Sequence, residues 1–142
     1  MKARDIMSKS VVSLSSNDTI ERAATLMKEY DIGSVPVCDS DKVIGIVTDR
    51  DIALRAVSSS SHTSSDSVKN IMTTNPVTAS PDMSLEDLSR IMSQQQIRRI
   101  PIVENQRLVG VVSLGDLATE PQADQKAGHS LSDISQPGTQ NY

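Results

Sequence analysis

The chain repeats itself. Ile6-Met7 recurs as Ile71-Met72, Val12 as Val77, Met27 as Met92, Ile32 as Ile97, Pro36 as Pro101, Gly45 as Gly110 and Asp51 as Asp116, always 65 residues on. Residues 5–54 align with 70–119 without a gap, with 12 identities in 50 positions, and mismatches such as Val35-Pro36-Val37 against Ile100-Pro101-Ile102 are conservative. One register that keeps Pro, Gly and Asp together marks a duplicated supersecondary unit. A unit of about fifty residues buries too little surface to be stable alone, so two copies are expected to share a core.

Each copy reads as β-α-β-β-α. Val11-Val12-Ser13-Leu14 is a short β-branched run before the turn residues Ser15-Ser16-Asn17. Asp18 with Glu21 three positions on predicts a capping box, and Ile20, Ala23, Ala24, Met27 and Tyr30 fall on one helical face. Gly33 is the expected helix end. Ser34–Cys38 and Val43–Val47 are apolar runs around the polar turn Asp39-Ser40-Asp41-Lys42, a hairpin, and Thr48 is the expected N-cap of a helix through Ala56. The second copy matches it, with Val77-Thr78-Ala79, a helix carrying Leu85, Leu88, Ile91 and Met92, a hairpin from Ile100–Val103 and Leu108–Val112, and Ser113 capping the last helix. The expected fold class is α+β (mixed α/β), two such repeats packed with their sheets together and related by a pseudo-two-fold axis.

The expected boundaries are repeat one at 1–57, a linker at 58–67, repeat two at 68–119 and a disordered polar tail at 120–142. Seven of the ten linker residues are Ser and none is apolar, which predicts flexibility. His62 and His129 fall in these two segments with no second ligand at metal spacing and are expected to be solvated. The lone Cys38, flanked by Val35-Pro36-Val37, reads as a small buried hydrophobe rather than a reactive thiol.

Composition narrows the function. Net charge is −4, no Lys/Arg block occurs, and two Tyr are the only aromatics, so neither a basic nucleic-acid face nor a base-stacking platform is available. No apolar run approaches the ~20 residues of a membrane span, and the start Met1-Lys2-Ala3-Arg4-Asp5 lacks a signal-like apolar stretch. A cytoplasmic protein is expected.

Both third strands end alike, as Gly45-Ile46-Val47-Thr48-Asp49-Arg50-Asp51 and Gly110-Val111-Val112-Ser113-Leu114-Gly115-Asp116. A hydroxyl at a helix N-cap stands beside unpaired N–H groups and the positive end of the dipole, a seat for phosphate. The Asp one turn on can accept the two protons of a ribose diol, and the Gly allows close approach to the backbone. The same Ser/Thr-x-x-Asp pattern is also an ordinary capping box, and duplication copies caps as faithfully as sites. The copies differ in charge: Arg98-Arg99 precede Ile100 where Gly33-Ser34 precede Val35. Arginines at a strand start can meet phosphate or simply reach solvent. Arg50 is a further cation inside the first motif.

The Asp-Ile-Met opening, the apolar-Pro-apolar strand and the Gly-x-x-[Ser/Thr]-x-x-Asp ending, in this order and twice over, resemble a tandem pair of CBS (cystathionine β-synthase) domains across residues 4 to about 119. The resemblance implies a compact pair with two clefts between the copies that bind AMP, ADP, ATP or S-adenosylmethionine, and a further association into homodimers. It implies that Asp51 and Asp116 hold ribose, and that Thr48 and Ser113 face phosphate. The adenine pocket would be lined near Val12, Ser13, Val77 and Thr78, with help from Ser34, Val35, Arg99 and Ile100. No catalytic set and no metal ligands are legible, so the expected function is an adenine-nucleotide sensor acting on a separate target protein. The alternative is a structural or dimerising module without a small ligand.

Overall fold

The computed structural model describes residues 1–60 and 62–120. In chain order its elements are α1 (Ala3–Ile6), β1 (Leu14–Ser15), α2 (Ile20–Tyr30), β2 (Ser34–Asp39), β3 (Lys42–Thr48), and α3 (Asp49–Asp51) running into a π-helical segment Ile52–Val57. A 3-10 turn Val68–Asn70, β4 (Thr73–Thr74), α4 (Leu85–Gln95), β5 (Arg99–Glu104), β6 (Arg107–Ser113) and α5 (Leu114–Thr119) follow. Helix and sheet are mixed, as expected of the α+β class. The chain divides into two units, residues 12–76, and Met1–Val11 together with the chain from Val77 onward.

In the unit 12–76, β2 and β3 form the expected hairpin, extended by a residue at either end so that Ser34 pairs with Thr48 and Asp39 with Lys42. Its two-residue turn, Ser40-Asp41, has φ of 48° and 70°, the left-handed geometry that matches strand twist. β1 lies parallel to β2, and β4 antiparallel to β3. The first strand is shorter than its β-branched run suggested: only Leu14–Ser15 pairs. α2 buries Ile20, Ala23, Leu26 and Met27 against Val35, Val37 and Val47, while Ala24 and Tyr30 face solvent.

Three local expectations change. The cap of α2 is Thr19, whose hydroxyl accepts from the Arg22 N–H at 3.1 Å; Asp18 instead accepts from Ser15 N–H at 2.8 Å, closing the preceding turn. The helix ends on Asp31 in the left-handed region (φ 53°), its N–H returning to the Met27 carbonyl, rather than on Gly33. In the serine-rich segment expected to be flexible, Thr63, Asp66 and Ser67 are hydrogen-bonded to the chain around the start of α2. The first N–H groups of a helix have no partner within it; here Ile20 and Glu21 N–H donate to the carbonyls of Asp66 and Thr63 at 3.0 and 2.8 Å, and Ser67 Oγ donates to the Ser16 carbonyl.

The other unit repeats the plan. β5 and β6 pair from Arg99–Ser113 to Glu104–Arg107 around Asn105-Gln106 (φ 52° and 69°), and α4 is capped by Ser84 and ends on left-handed Gln96. Of the expected strand 77–79, only Ala79 makes a ladder contact, parallel to Ile102. Leu85, Leu88 and Met92 of α4 pack on Ile100, Ile102 and Val112. Ser8 bridges to Val111 and Arg4 pairs with Asp82 at 2.6 Å, fixing the amino-terminal segment here.

Each hairpin edge is therefore covered by the opening of the other repeat: Thr73 on Ile46 of β3, and Ser8 on Val111 of β6. An unpaired strand edge is costly to leave buried, and these segments fill it. The glycine of each motif makes room for them. A Cβ on Gly45 would lie 2.7 Å from Met72 Sδ and 2.9 Å from the Thr73 carbonyl, and one on Gly110 would lie 2.6 Å from Met7 Sδ and 3.0 Å from the Ser8 carbonyl. Among the described residues no helix is long and apolar enough to cross a membrane. The tail expected from 120 lies, except for Glu120, outside the described residues, as does His129.

Candidate functional site

Each unit carries one copy of the shared motif at the end of its hairpin. In the unit 12–76 the chain leaves β3 at Thr48 in an extended conformation and enters α3, so hydroxyl and carboxylate meet across one turn. Thr48 Oγ1 accepts from the Asp51 N–H at 3.0 Å, and Asp51 Oδ2 accepts from the Thr48 N–H at 3.0 Å. The Gly33 carbonyl accepts from the Asp49 N–H at 3.0 Å, so its role is to satisfy the helix start. Both motif side chains are buried. Two further groups close on Asp51. Thr73 Oγ1 donates to both carboxylate oxygens at 3.2 Å, and Arg55 Nε stands 3.8 Å from Oδ1 while its Nη1 donates to the carbonyls of Ile71 and Met72 at 3.3 and 3.1 Å.

In the other unit Ser113 Oγ accepts from the Asp116 N–H at 3.1 Å, and Asp116 Oδ2 accepts from the Ser113 N–H at 2.8 Å. The Arg98 carbonyl accepts from Leu114 N–H at 2.8 Å, the counterpart of Gly33. Arg99 is the direct cross-strand partner of Ser113, as Ser34 is of Thr48, and such partners share a face of the sheet. Ser113, Asp116 and Arg99 are all half-buried, in contrast to buried Thr48, Asp51 and Ser34. Gly115 is open: a Cβ there would meet only Ser113 Oγ, at 3.6 Å.

The remaining expected site residues divide by exposure. Arg50 and Arg98 are exposed at the two helix starts, Ser13 is exposed, and Val12, Val77 and Thr78 are half-buried ahead of the first strand of each copy. Val35 and Ile100 have no exposed surface and lie in the cores, so their side chains support the hairpins from behind. Sequence reasoning missed Arg55 and Thr73. The i,i+4 spacing of Asp51 and Arg55 was a signal that could have found Arg55, whereas Thr73 reaches Asp51 only once β4 folds back onto β3. His62 donates its backbone N–H to Asp66 Oδ2, and among the described residues no group of three or more His, Cys, Asp and Glu side chains is gathered to hold a metal ion.

Comparison with known proteins agrees with the repeat. The family model described as CBS domain matches twice, at residues 3–58 and 68–122. The CBS domain-containing protein YhcV of Bacillus subtilis (strain 168) is 44% identical over 132 residues, which cover 93% of this chain and 94% of that protein. Among solved structures, Hypoxic Response Protein I with two coordinated zinc ions superposes with a TM-score of 0.77 at 30% identity, covering 84% of this chain and 98% of that one. The CBS domain pair of protein MJ0100, in complex with 5-methylthioadenosine and S-adenosyl-L-methionine, superposes with a TM-score of 0.71 at 31% identity, covering 83% and 93%.

Proposed function

The chain belongs to the CBS domain family, as a tandem pair, and on that footing we propose that it is an adenine-nucleotide-binding regulatory module that acts on a separate partner protein. The observation that carries this reading is the corner formed by Ser113, Asp116 and Arg99. A half-buried carboxylate, a capping hydroxyl and a guanidinium on the facing strand are the three groups that a ribose, its phosphate and the phosphate's charge require. The adenosine compounds held by the CBS pair of MJ0100 support the choice of ligand class. AMP, ADP, ATP and S-adenosylmethionine all contain the diol and base that such a corner reads. Bound ligand stabilises the conformation that binds it better, and a target protein, or a second copy in a homodimer, reads that shift.

A second reading has its own observation. Every motif hydroxyl and carboxylate takes part in a reciprocal capping box, in both copies, so each has a structural partner without any ligand. On that reading the module serves assembly alone. A thermal-shift titration of the whole chain with AMP, ADP, ATP and S-adenosylmethionine separates the two. The sensor reading expects a concentration-dependent rise in Tm for at least one compound, since a ligand bound only by the folded state stabilises it by mass action, and loss of that rise in Asp116→Asn. No rise with any of them, for a protein that melts cooperatively, overturns it in favour of assembly.

A further inference from the structure

The two motif carboxylates are in different chemical states. Asp51 Oδ2 already receives the Thr48 N–H and the Thr73 hydroxyl, Oδ1 shares that hydroxyl and faces Arg55, and the side chain is only 9% exposed. Asp116 receives one N–H, on Oδ2, and among the described residues no side-chain donor reaches its Oδ1. A carboxylate has about four lone-pair directions, and a vicinal diol claims two of them from an open side.

The difference is written into the repeat. Moving 65 residues along the chain, Thr73 corresponds to Ser8 and Arg55 to Glu120. Ser8 has the same backbone placement, bridged to Val111 as Thr73 is to Ile46, yet its hydroxyl makes no bond to Asp116. Glu120 lies just past the end of α5 in an extended conformation, whereas Arg55 lies inside a helical segment, so the second corner has no counterpart of the Arg55 guanidinium among the described residues. Arg55 is itself pinned, because its guanidinium spans the Ile71 and Met72 carbonyls, the two residues that lead into β4. An exposed ion pair at 3.8 Å is weak taken alone; here it is added to a hydroxyl and a backbone bond on a carboxylate shielded from water.

Resting on the reading that adenine nucleotides bind, we infer that Arg55 and Thr73 occupy Asp51 and close its corner to ribose, so that each chain takes one nucleoside, at Asp116. The duplication has left one corner as a receptor and turned the other into a latch that ties β4 to the start of α3. Arg55 and Thr73 thereby determine site selectivity without touching the ligand.

The test is equilibrium binding of AMP and, separately, S-adenosylmethionine to the full chain, with stoichiometry as the readout. One ligand per chain is expected, with Asp116→Asn weakening it by at least about tenfold. Arg55→Ala combined with Thr73→Val is expected to raise the stoichiometry to two, and adding Asp51→Asn to that pair to remove the second event. Circular dichroism and a cooperative melt check each variant's fold, while the wild-type stoichiometry needs no variant. Two equal sites in the wild-type chain, or a single site that survives Asp116→Asn, overturns the latch while leaving nucleotide sensing intact. Absence of binding by every adenine compound overturns the sensing reading, and the latch's role with it.

Discussion

Arg99 stands directly across the β5–β6 ladder from Ser113, and the equivalent pair in the other hairpin is Ser34 and Thr48. At this shared ladder position a buried serine in one copy is a half-buried arginine in the other. Arg99→Ser is expected to weaken AMP by roughly ten- to a hundredfold, the range of a lost charge-assisted hydrogen bond, and adenosine by less than about twofold. Calorimetric titration with both ligands checks it; equal losses for the two would place Arg99 away from the phosphate.

Gly110 is fixed by the approach of Met7 and of the Ser8 carbonyl, and a backbone atom at 3.0 Å from the new Cβ has little freedom to give way. Gly110→Ala is expected to destabilise the chain by about 1–3 kcal/mol in urea unfolding, as overpacking does. Gly115→Ala provides the contrast. It lies in α5 with its nearest neighbour at 3.6 Å and is expected to add about 0.4–1 kcal/mol. If Gly110→Ala proved neutral, the packing of the amino-terminal segment on β6 would be looser than described.

The hydrogen bond and charge of Arg4 hold the Asp82 carboxyl below the usual carboxylate range. A depressed acid stabilises the folded chain above its ordinary titration range, and that contribution disappears as pH falls through the lowered value. The urea midpoint of the wild-type chain is therefore expected to exceed that of Asp82→Asn at neutral pH, and the two are expected to converge as pH falls through and below the lowered value. Both groups are exposed, so added salt shrinks the neutral-pH gap as well. A gap that persists in acid would assign the effect to something other than the ion pair.

Cys38 lies half-buried on β2, where desolvation first, and then the charges of Asp41 and Asp39, push its thiol up. The thiolate is the reactive form. Slow modification by iodoacetamide at neutral pH is expected in the folded chain, rising on unfolding in urea. Modification as fast as that of a free thiol would place Cys38 in a more open and less acidic setting.

The repeat, the hairpins, and the caps at Thr48 and Ser113 with Asp51 and Asp116 one turn on were legible in the chain, while the four-residue polar turns read there close to two residues in the structure. The hairpins and caps depend on residues within a few positions of one another, and the repeat on a constant offset of 65. Local reading went astray where two neighbours competed for one role, Thr19 beside Asp18 for the N-cap and Asp31 ahead of Gly33 for the left-handed helix end, and it overran the first strand of each copy, where little of the run finds a ladder partner. In each competing pair both residues are capable, and packing selects between them.

What the amino-acid sequence by itself determined is the unit: its element order, its duplication, and the hydroxyl and carboxylate that close each β3-type strand. The tertiary structure decided which segments complete each unit, and through that how the two motifs differ. Thr73 reaches Asp51 only because β4 pairs with β3, and Arg55 is held there by carbonyls of the same returning segment. Hydrophobic periodicity fixes which face of a strand is buried. It carries no information about which distant strand will satisfy an open edge, and at Asp51 the hydrogen-bonding state of the carboxylate depends on that choice.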